Sequence, residues 1–577
     1  MAQQKAKPWD FLDAFRGRVF RGTWPTLAEL FSISAERFPD RPAFTVYEPD
    51  RTSLSYREAL ERIQHVAGYL YELGVRHGDR VAVSGKNSPE WAIAYLAILY
   101  AGAVVVPIDY QLAEREMENL LAASDAKHLF VDEEKYDHFA SRGANHSAGV
   151  LSLSPRKQHY LYELRGTLGE EWKPAEEEDL AAILFTSGTT GRPKGVMLTH
   201  ANFVSDCFLA QFNLNIYHTD VFYAVLPIHH SYCMLAVFIE SFSVGAETVF
   251  GKRLATTQVL SDLKRAGVTM FLGVPLLFNK LLAGIMRGIR EKGVLVYGVI
   301  RALMGLSGFT KKLTGKNPGK RLFHSILEKA SLSSVRICIS GGGPLAPSVF
   351  RQYNQLGIDF VQGYGLTETA PILTLNPVEH YKEESVGSVI PQADMRIIEP
   401  DERGAGEIIV KGPMVMQGYY KMPEETAEVF TKDGYFRTGD VGYLDRENYL
   451  YITGRAKNLI VTEGGKNVYP EEIENEFQTY GEVAQVLVRG YEADPNGRSE
   501  KIEALIFPDE EHCSWLGSEG AAEGHSGWSR ETEQRMQEIV NEVNDRLMPY
   551  QRIERVVVLD QALETTTTKK IKRHTVG

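Results

Sequence analysis

The sequence predicts an α/β protein: a large N-terminal domain of layered α/β subdomains plus a small distorted β-barrel, followed by a smaller, mobile α+β C-terminal domain. Three observations predict it. Short apolar, β-branched runs alternate with amphipathic stretches of helical period along most of the chain, the pattern of strands and their covering helices. Several of these runs end in glycine- or hydroxyl-rich loops, where layered α/β folds gather ligands. The 577 residues also exceed what one core organises. We place the boundary after Arg455, giving domains 1–455 and 456–577.

At 26–38, Leu27, Leu30, Phe31, Ile33 and Phe38 recur at helical spacing until Pro39 stops them; a strand is expected at 43–47, a helix at 56–73 and a strand at 80–84. Residues 91–108 carry no charge over eighteen positions, near the length of a membrane span. Gly102 and Pro107 divide that stretch, so a buried helix, turn and strand are expected instead. A further helix is expected at 114–123.

The apolar run 181–185 predicts a buried strand that leaves into Thr186, Ser187, Gly188, Thr189, Thr190, Gly191, Arg192, Pro193 and Lys194. Hydroxyls, glycines and cations this close together suit a loop whose backbone N–H groups and hydroxyls close on phosphate oxygens. It is not a Walker loop, because Pro193 stands where that pattern needs its second glycine. An ordinary Ser/Thr/Gly turn draws on the same residues.

Residues 224–228 read as a strand ending at His229-His230, a spacing that does not suit metal ligands. Strands are expected at 268–272, 335–340 and 359–362. The last two run into Gly341, Gly342 and Gly343, and through Gln362 into Gly363, Tyr364, Gly365, Leu366, Thr367 and Glu368. An aromatic ring, a hydroxyl and a carboxylate there could serve a base, a phosphate and a metal. Between them, 287–321 sets nine Lys/Arg against the single acid Glu291, with apolar residues interleaved. That is either an interfacial helix on an anionic membrane or a solvated excursion packed by its apolar side.

Dense β-like runs and Gly/Pro turns over 386–443 predict the barrel, with Thr438-Gly439-Asp440 near its end. After Gly454-Arg455 the smaller domain begins, and its Gly/Ser/Glu-rich insertion at 514–529 reads as mobile.

The 63 basic against 75 acidic residues give a net charge of −12, which disfavours general nucleic-acid binding. Cys207, Cys233, Cys338 and Cys513 lack CxxC spacing, so neither a disulfide framework nor a zinc site is indicated. With no secretory signal at the N-terminus, a cytoplasmic setting is expected.

The loop at 186–194, Tyr364-Gly365-Leu366-Thr367-Glu368, Thr438-Gly439-Asp440, Gly454-Arg455 and a Lys near the C-terminus, in this order, resemble the adenylate-forming superfamily of acyl-CoA synthetases, peptide-synthetase adenylation domains and beetle luciferases. Thr462-Glu463-Gly464-Gly465-Lys466-Asn467 and the insert at 287–321 look most like long-chain fatty acyl-CoA ligases. The resemblance implies ATP-dependent conversion of a fatty acid to acyl-AMP and then to a CoA thioester, with Mg²⁺ as cofactor and CoA as co-substrate.

Residue by residue, the resemblance implies that Thr186, Ser187, Gly188, Thr189, Thr190, Gly191 and Lys194 hold the β- and γ-phosphates. Thr367 meets the α-phosphate, and Glu368 with Thr186 serves the metal. Tyr364 stacks on adenine in a pocket lined by Gly341, Gly342, Gly343, Gln362, Gly363 and Gly365, Asp440 and Arg455 serve the ribose, and His230 sits beside the carboxylate. Lys457 is the hinge, Gly464, Gly465 and Lys466 line the CoA passage, and Lys570 bridges carboxylate and α-phosphate. The chain departs from the pattern at Lys569, where relatives carry Gly, and at Glu564. That leaves Lys569 against Lys570, and keeps two rival readings: an acyl-acyl-carrier-protein synthetase, and a catalytically weak adenylate-binding or membrane scaffold protein. The expected location is cytoplasmic, peripheral at the inner face of a membrane.

Overall fold

The fold is that of a computed structural model, in which residues 7–141, 149–186, 193–252, 255–462, 466–492, 500–513, 528–566 and 571–576 are described. Among these residues the larger part holds two mixed sheets and a smaller antiparallel one. The first runs in spatial order Ser388–Val389, Ile372–Leu375, Asp359–Gly365, Ile337–Ser340, Met270–Gly273, Val221–Ala224, Glu247–Phe250, Pro42–Val46 and Thr52–Ser55. Its strands from Asp359–Gly365 to Pro42–Val46 are parallel, and antiparallel strands close both edges. The second runs Gly418–Tyr419, Lys194–Thr199, Leu180–Thr186, Val104–Pro107, Arg80–Ser84, His128–Val131 and Gly149–Ser152, parallel from Leu180–Thr186 onward.

The uncharged stretch at 91–108 is the buried helix-turn-strand that its breaks predict. Ser88 caps the helix Pro89–Tyr100, whose residues from Trp91 to Leu99 are buried on every side, so it lies between layers. Elsewhere capping boxes start the helices: Thr26 with Glu29, and Ser55 with Glu58.

Two expectations are corrected. The strand expected at 224–228 ends at Ala224. Pro227 has no N–H to give a ladder, and the buried side chain of Asn87 takes the neighbouring strand's place. Its Nδ2 donates to the carbonyls of Ala224 and Leu226 at 2.9 and 2.8 Å, and its Oδ1 accepts from the Ile228 N–H at 3.1 Å. The expected barrel is, among the described residues, an open four-stranded antiparallel sheet, Asp394–Ile398, Gly406–Lys411, Phe436–Leu444 and Leu450–Arg455, with register shifts between its last three strands. Backbone bonds from Val386 and Val389 to Leu450 and Asn448 join it to the larger sheet's edge, so it needs no ring closure to satisfy that side.

From Ile460 onward a separate hydrophobic cluster forms around Ile473, Phe477, Ile502, Ile506, Ile539 and Val543. It packs the helices Pro470–Glu476 and Arg530–Asn544 on a three-stranded sheet, Val483–Glu492, Glu500–Pro508 and Arg555–Val558. Most of the insertion expected at 514–529 lies outside the described residues.

Candidate active site

The strands Leu180–Thr186 and Asp359–Gly365 lie in different sheets, yet their carboxyl ends are tied together by side chains. Thr186 pairs with Lys194 across the hairpin. Lys194 Nζ lies 4.7 Å from the centre of the Tyr419 ring, and the Tyr419 hydroxyl donates to Glu368 Oε1 at 3.0 Å. The Met416 N–H donates to the Glu368 carbonyl at 2.9 Å, so both ends of that residue are fixed. Burial holds the Tyr419 phenol protonated, which makes it a donor to the carboxylate. Ser187, Gly188, Thr189, Thr190, Gly191 and Arg192, the centre of the expected phosphate loop, lie outside the described residues; its two ends, Thr186 and Lys194, pair across the hairpin, and Lys194 is linked to Glu368 through Tyr419.

Thr367 is drawn toward the histidine segment. Its Oγ1 lies 3.0 Å from Ser231 Oγ, one residue beyond His230. His230 is the N-terminal flank of the short helix Ser231–Cys233, which continues as a π-helical turn, Met234–Ile239; such turns recur at functional sites. The neighbouring His229, its side chain 9% exposed, sets Nε2 3.7 Å from Asp109 Oδ1, and desolvation lowers its pKa.

On the other side, Asp440 carries two partners. The Tyr364 hydroxyl donates to Oδ2 at 2.7 Å and Arg455 Nε pairs with Oδ1 at 2.8 Å. Asp440 and Arg455 are opposed in antiparallel register, which puts cation and carboxylate on one rim. The Asp440 charge raises the Arg455 pKa, and burial raises that of Tyr364, so the one stays cationic and the other stays a donor. Gln362, Gly363, Tyr364 and Gly365 end the strand that carries the site. Gly365 has no room for a side chain, since a Cβ would stand 1.5 Å from the Pro371 carbonyl oxygen. Gly341, Gly342 and Gly343 leave the adjacent strand Ile337–Ser340. A Cβ on Gly341 would meet the Tyr232 ring at 2.9 Å, so glycine there leaves that aromatic wall in place.

Among the described residues no group of three or more His, Cys, Asp or Glu could hold a metal. A magnesium ion takes hard oxygen donors and needs few from the protein when phosphate oxygens complete its shell, so the carboxylate of Glu368 and the hydroxyl of Thr186 have the chemistry that ion needs. Lys457 lies two residues after Arg455, in the short 3₁₀ turn Ala456–Asn458, its pKa lowered by burial and then by the nearby Arg455 and Arg573. A cavity of about 250 Å³ lies beside it, lined by Lys457, Leu487, Arg489 and Arg573. Lys466 begins the segment after Gly464 and Gly465, which lie outside the described residues, as do Lys569 and Lys570. The flanks of the latter are fixed: Thr565 bridges Ile571, and Arg573 holds Glu474 with both contacts at 2.6 Å.

The structure thus groups Thr186, Lys194, Thr367, Glu368, Tyr364, Asp440 and Arg455 along one edge. Sequence reasoning missed Tyr419, Ser231 and Asn87. Tyr419 and Ser231 carry no spacing signal, and Asn87 reads as a turn residue.

The AMP-binding enzyme family matches residues 31–420. A feruloyl-CoA synthase of Amycolatopsis sp is 30% identical over 500 residues, covering 84% of this chain and 88% of its own. A long-chain-fatty-acid–CoA ligase of Bacillus subtilis (strain 168) is 29% identical over 524 residues, covering 83% and 85%. The crystal structure of ATP-bound MatB from Rhodopseudomonas palustris superposes with a TM-score of 0.73 at 27% identity, covering 95% of this chain and 98% of that one.

Proposed function

Because this chain belongs to the AMP-binding enzyme family, whose adenylate-forming CoA ligases are among its relatives, we propose that it joins a long-chain fatty acid to coenzyme A in two steps, through an acyl-adenylate. In the first, a carboxylate oxygen attacks the α-phosphorus of ATP, the bond to the bridging oxygen breaks and pyrophosphate leaves. In the second, the CoA sulfur attacks the acyl carbonyl, AMP leaves with the former carboxylate oxygen and the thiol proton is lost. The observation that carries this reading is the linkage of Glu368, Tyr419 and Lys194 across two sheets beside the Asp440–Arg455 pair. One edge thereby offers a carboxylate for a metal, a cation for phosphate and a carboxylate for ribose hydroxyls.

In this reading Asp440 accepts from the ribose, Tyr364 faces the base, Thr367 donates to the α-phosphate and Lys570 crosses from the smaller domain to the developing charge. Such preorganised donors are worth about two to three orders of magnitude each. Glu368 and Thr186 would hold magnesium together with the phosphates, and the ion would supply charge neutralisation. After adenylation the domain 456–577 turns about Lys457 and Gly464, Gly465 and Lys466 line the path of the thiol arm.

The test is AMP release from a series of acids, saturated C6 to C18 and ferulate, each with CoA, with holo-acyl-carrier protein and with neither. Fastest AMP release with C12 or longer acids and CoA is expected. A preference for ferulate overturns the substrate class, exclusive use of carrier protein overturns the acceptor, and no acid-dependent AMP release leaves the scaffold reading.

A further inference from the structure

The basic, apolar insert has two faces that the sequence does not separate. Gly293 breaks it into the helices Pro275–Arg290 and Val294–Thr314. On the second, Leu295, Val299, Ala302, Leu306, Phe309 and Leu313 follow one another at intervals of four and three, so they form a single stripe. That stripe faces outward: Leu295 is 87% exposed, Phe309 65% and Leu313 73%. Of the fourteen large hydrophobic side chains exposed among the described residues, eight fall between 294 and 322. An apolar surface this concentrated marks an interaction site.

The opposite face is anchored. Met304, Ser307 and Lys311 are buried, and Lys311 Nζ donates to Asn354 Oδ1 at 2.6 Å and pairs with Asp359 Oδ1 at 2.7 Å. The helix is long and apolar enough by composition to cross a membrane, but crossing would strip that buried charge pair, so the helix stays attached to the body and offers only its outer side.

Charge names what covers it. Residues 292–322 contain seven Lys/Arg and no Asp/Glu. Lys311 is used inside, and Lys320 donates to the Val335 carbonyl at 2.8 Å, so two of the seven are spent on the body. Lys292, Arg301, Lys312, Lys316 and Arg321 remain at the exposed rim, with Arg287 and Arg290 ending the preceding helix. Stripe spacing of four and three also suits a helix–helix seam, but a second copy would bring like charges together. A bilayer rich in anionic headgroups neutralises them while its acyl region takes Leu306 and Phe309. We propose that the Val294–Thr314 helix docks this protein flat on an anionic phospholipid bilayer, stripe inward and rim cations in the headgroup layer.

Flotation of the full chain with phosphatidylcholine vesicles, with or without about 30% phosphatidylglycerol, tests it at low and high salt. The protein is expected to float with the anionic vesicles, and less so as salt rises. Val299→Glu/Leu306→Glu/Phe309→Glu and, separately, Arg301→Glu/Lys316→Glu/Arg321→Glu should each weaken partitioning by about tenfold or more, with circular dichroism melts unchanged. Leu306→Gln, a milder change, should weaken it by a smaller factor. Flotation unaffected by either triple variant, or equal flotation with neutral vesicles, overturns the proposal. So does a dimer, seen by light scattering, that the apolar triple variant dissociates while no vesicle binding is found.

Discussion

Asp440 has the geometry that the ribose role proposed for it requires. It is buried, and its two oxygens already hold Tyr364 and Arg455. A carboxylate has about four acceptor positions, so two remain for ribose hydroxyls. Tyr364→Phe removes a hydrogen bond to a charged group and should raise the KM for ATP by about tenfold with kcat little changed. Asp440→Asn also unpairs Arg455 and should lower kcat/KM for ATP by about a hundredfold; initial rates at varied ATP check both. Glu240 tests burial by a different readout. It lies in the core, accepts from Gln211 Nε2 at 2.8 Å, and burial pushes its pKa from 4.5 up to about 8. A folded pKa above the unfolded one favours folding fully below the unfolded value, and that contribution is lost as pH rises toward 8. Glu240→Gln should therefore match wild type near pH 4.5 and melt about 2–4 °C higher at pH 8; a gap that stays constant with pH would refute this.

The Val294–Thr314 helix carries the clearest lesson at the scale of an element. Its length and its cations are legible in the sequence, but which cations face in is not, because that depends on Asp359 and Asn354 arriving from a distant strand and helix. Lys311→Ala leaves Asp359 without its buried partner and should cost about 3 kcal/mol in urea unfolding. Lys312→Ala, whose exposed Nζ is 3.5 Å from Glu383, should cost about 1 kcal/mol or less. The segment at 224–228 teaches the same thing from the other side. Its apolar run reads as a strand, but Asn87 takes its backbone groups instead. Buried strands and helices with strong periodicity, such as Pro89–Tyr100 and Leu180–Thr186, were legible because burial on all sides leaves a continuous apolar run. Tyr419 and Ser231 were not, since each acts through a partner more than fifty residues away.

The whole molecule has its larger hydrophobic core ending near Leu450 and a second one beginning at Ile460, with Lys457 between them. The α/β class, the order of the glycine-rich strand exits and the α+β character of the last part all follow from local pattern. The open sheet at 394–455 did not, because short β runs do not tell a closed ring from one joined to a neighbour's edge. If the smaller part turns about Lys457, Lys457→Pro should keep acid-dependent ATP–pyrophosphate exchange within about twofold while thioester formation falls at least about tenfold, since proline fixes the backbone angle a hinge must change. Equal loss of both steps would remove the hinge. The central claim, that the acid is activated by bonding its own oxygen to the α-phosphorus, is tested most directly by isotope. With a fatty acid labelled by ¹⁸O in both carboxylate positions, ATP and CoA, mass spectrometry should find one labelled oxygen in AMP and none in pyrophosphate; label in pyrophosphate, or unlabelled AMP, would contradict it.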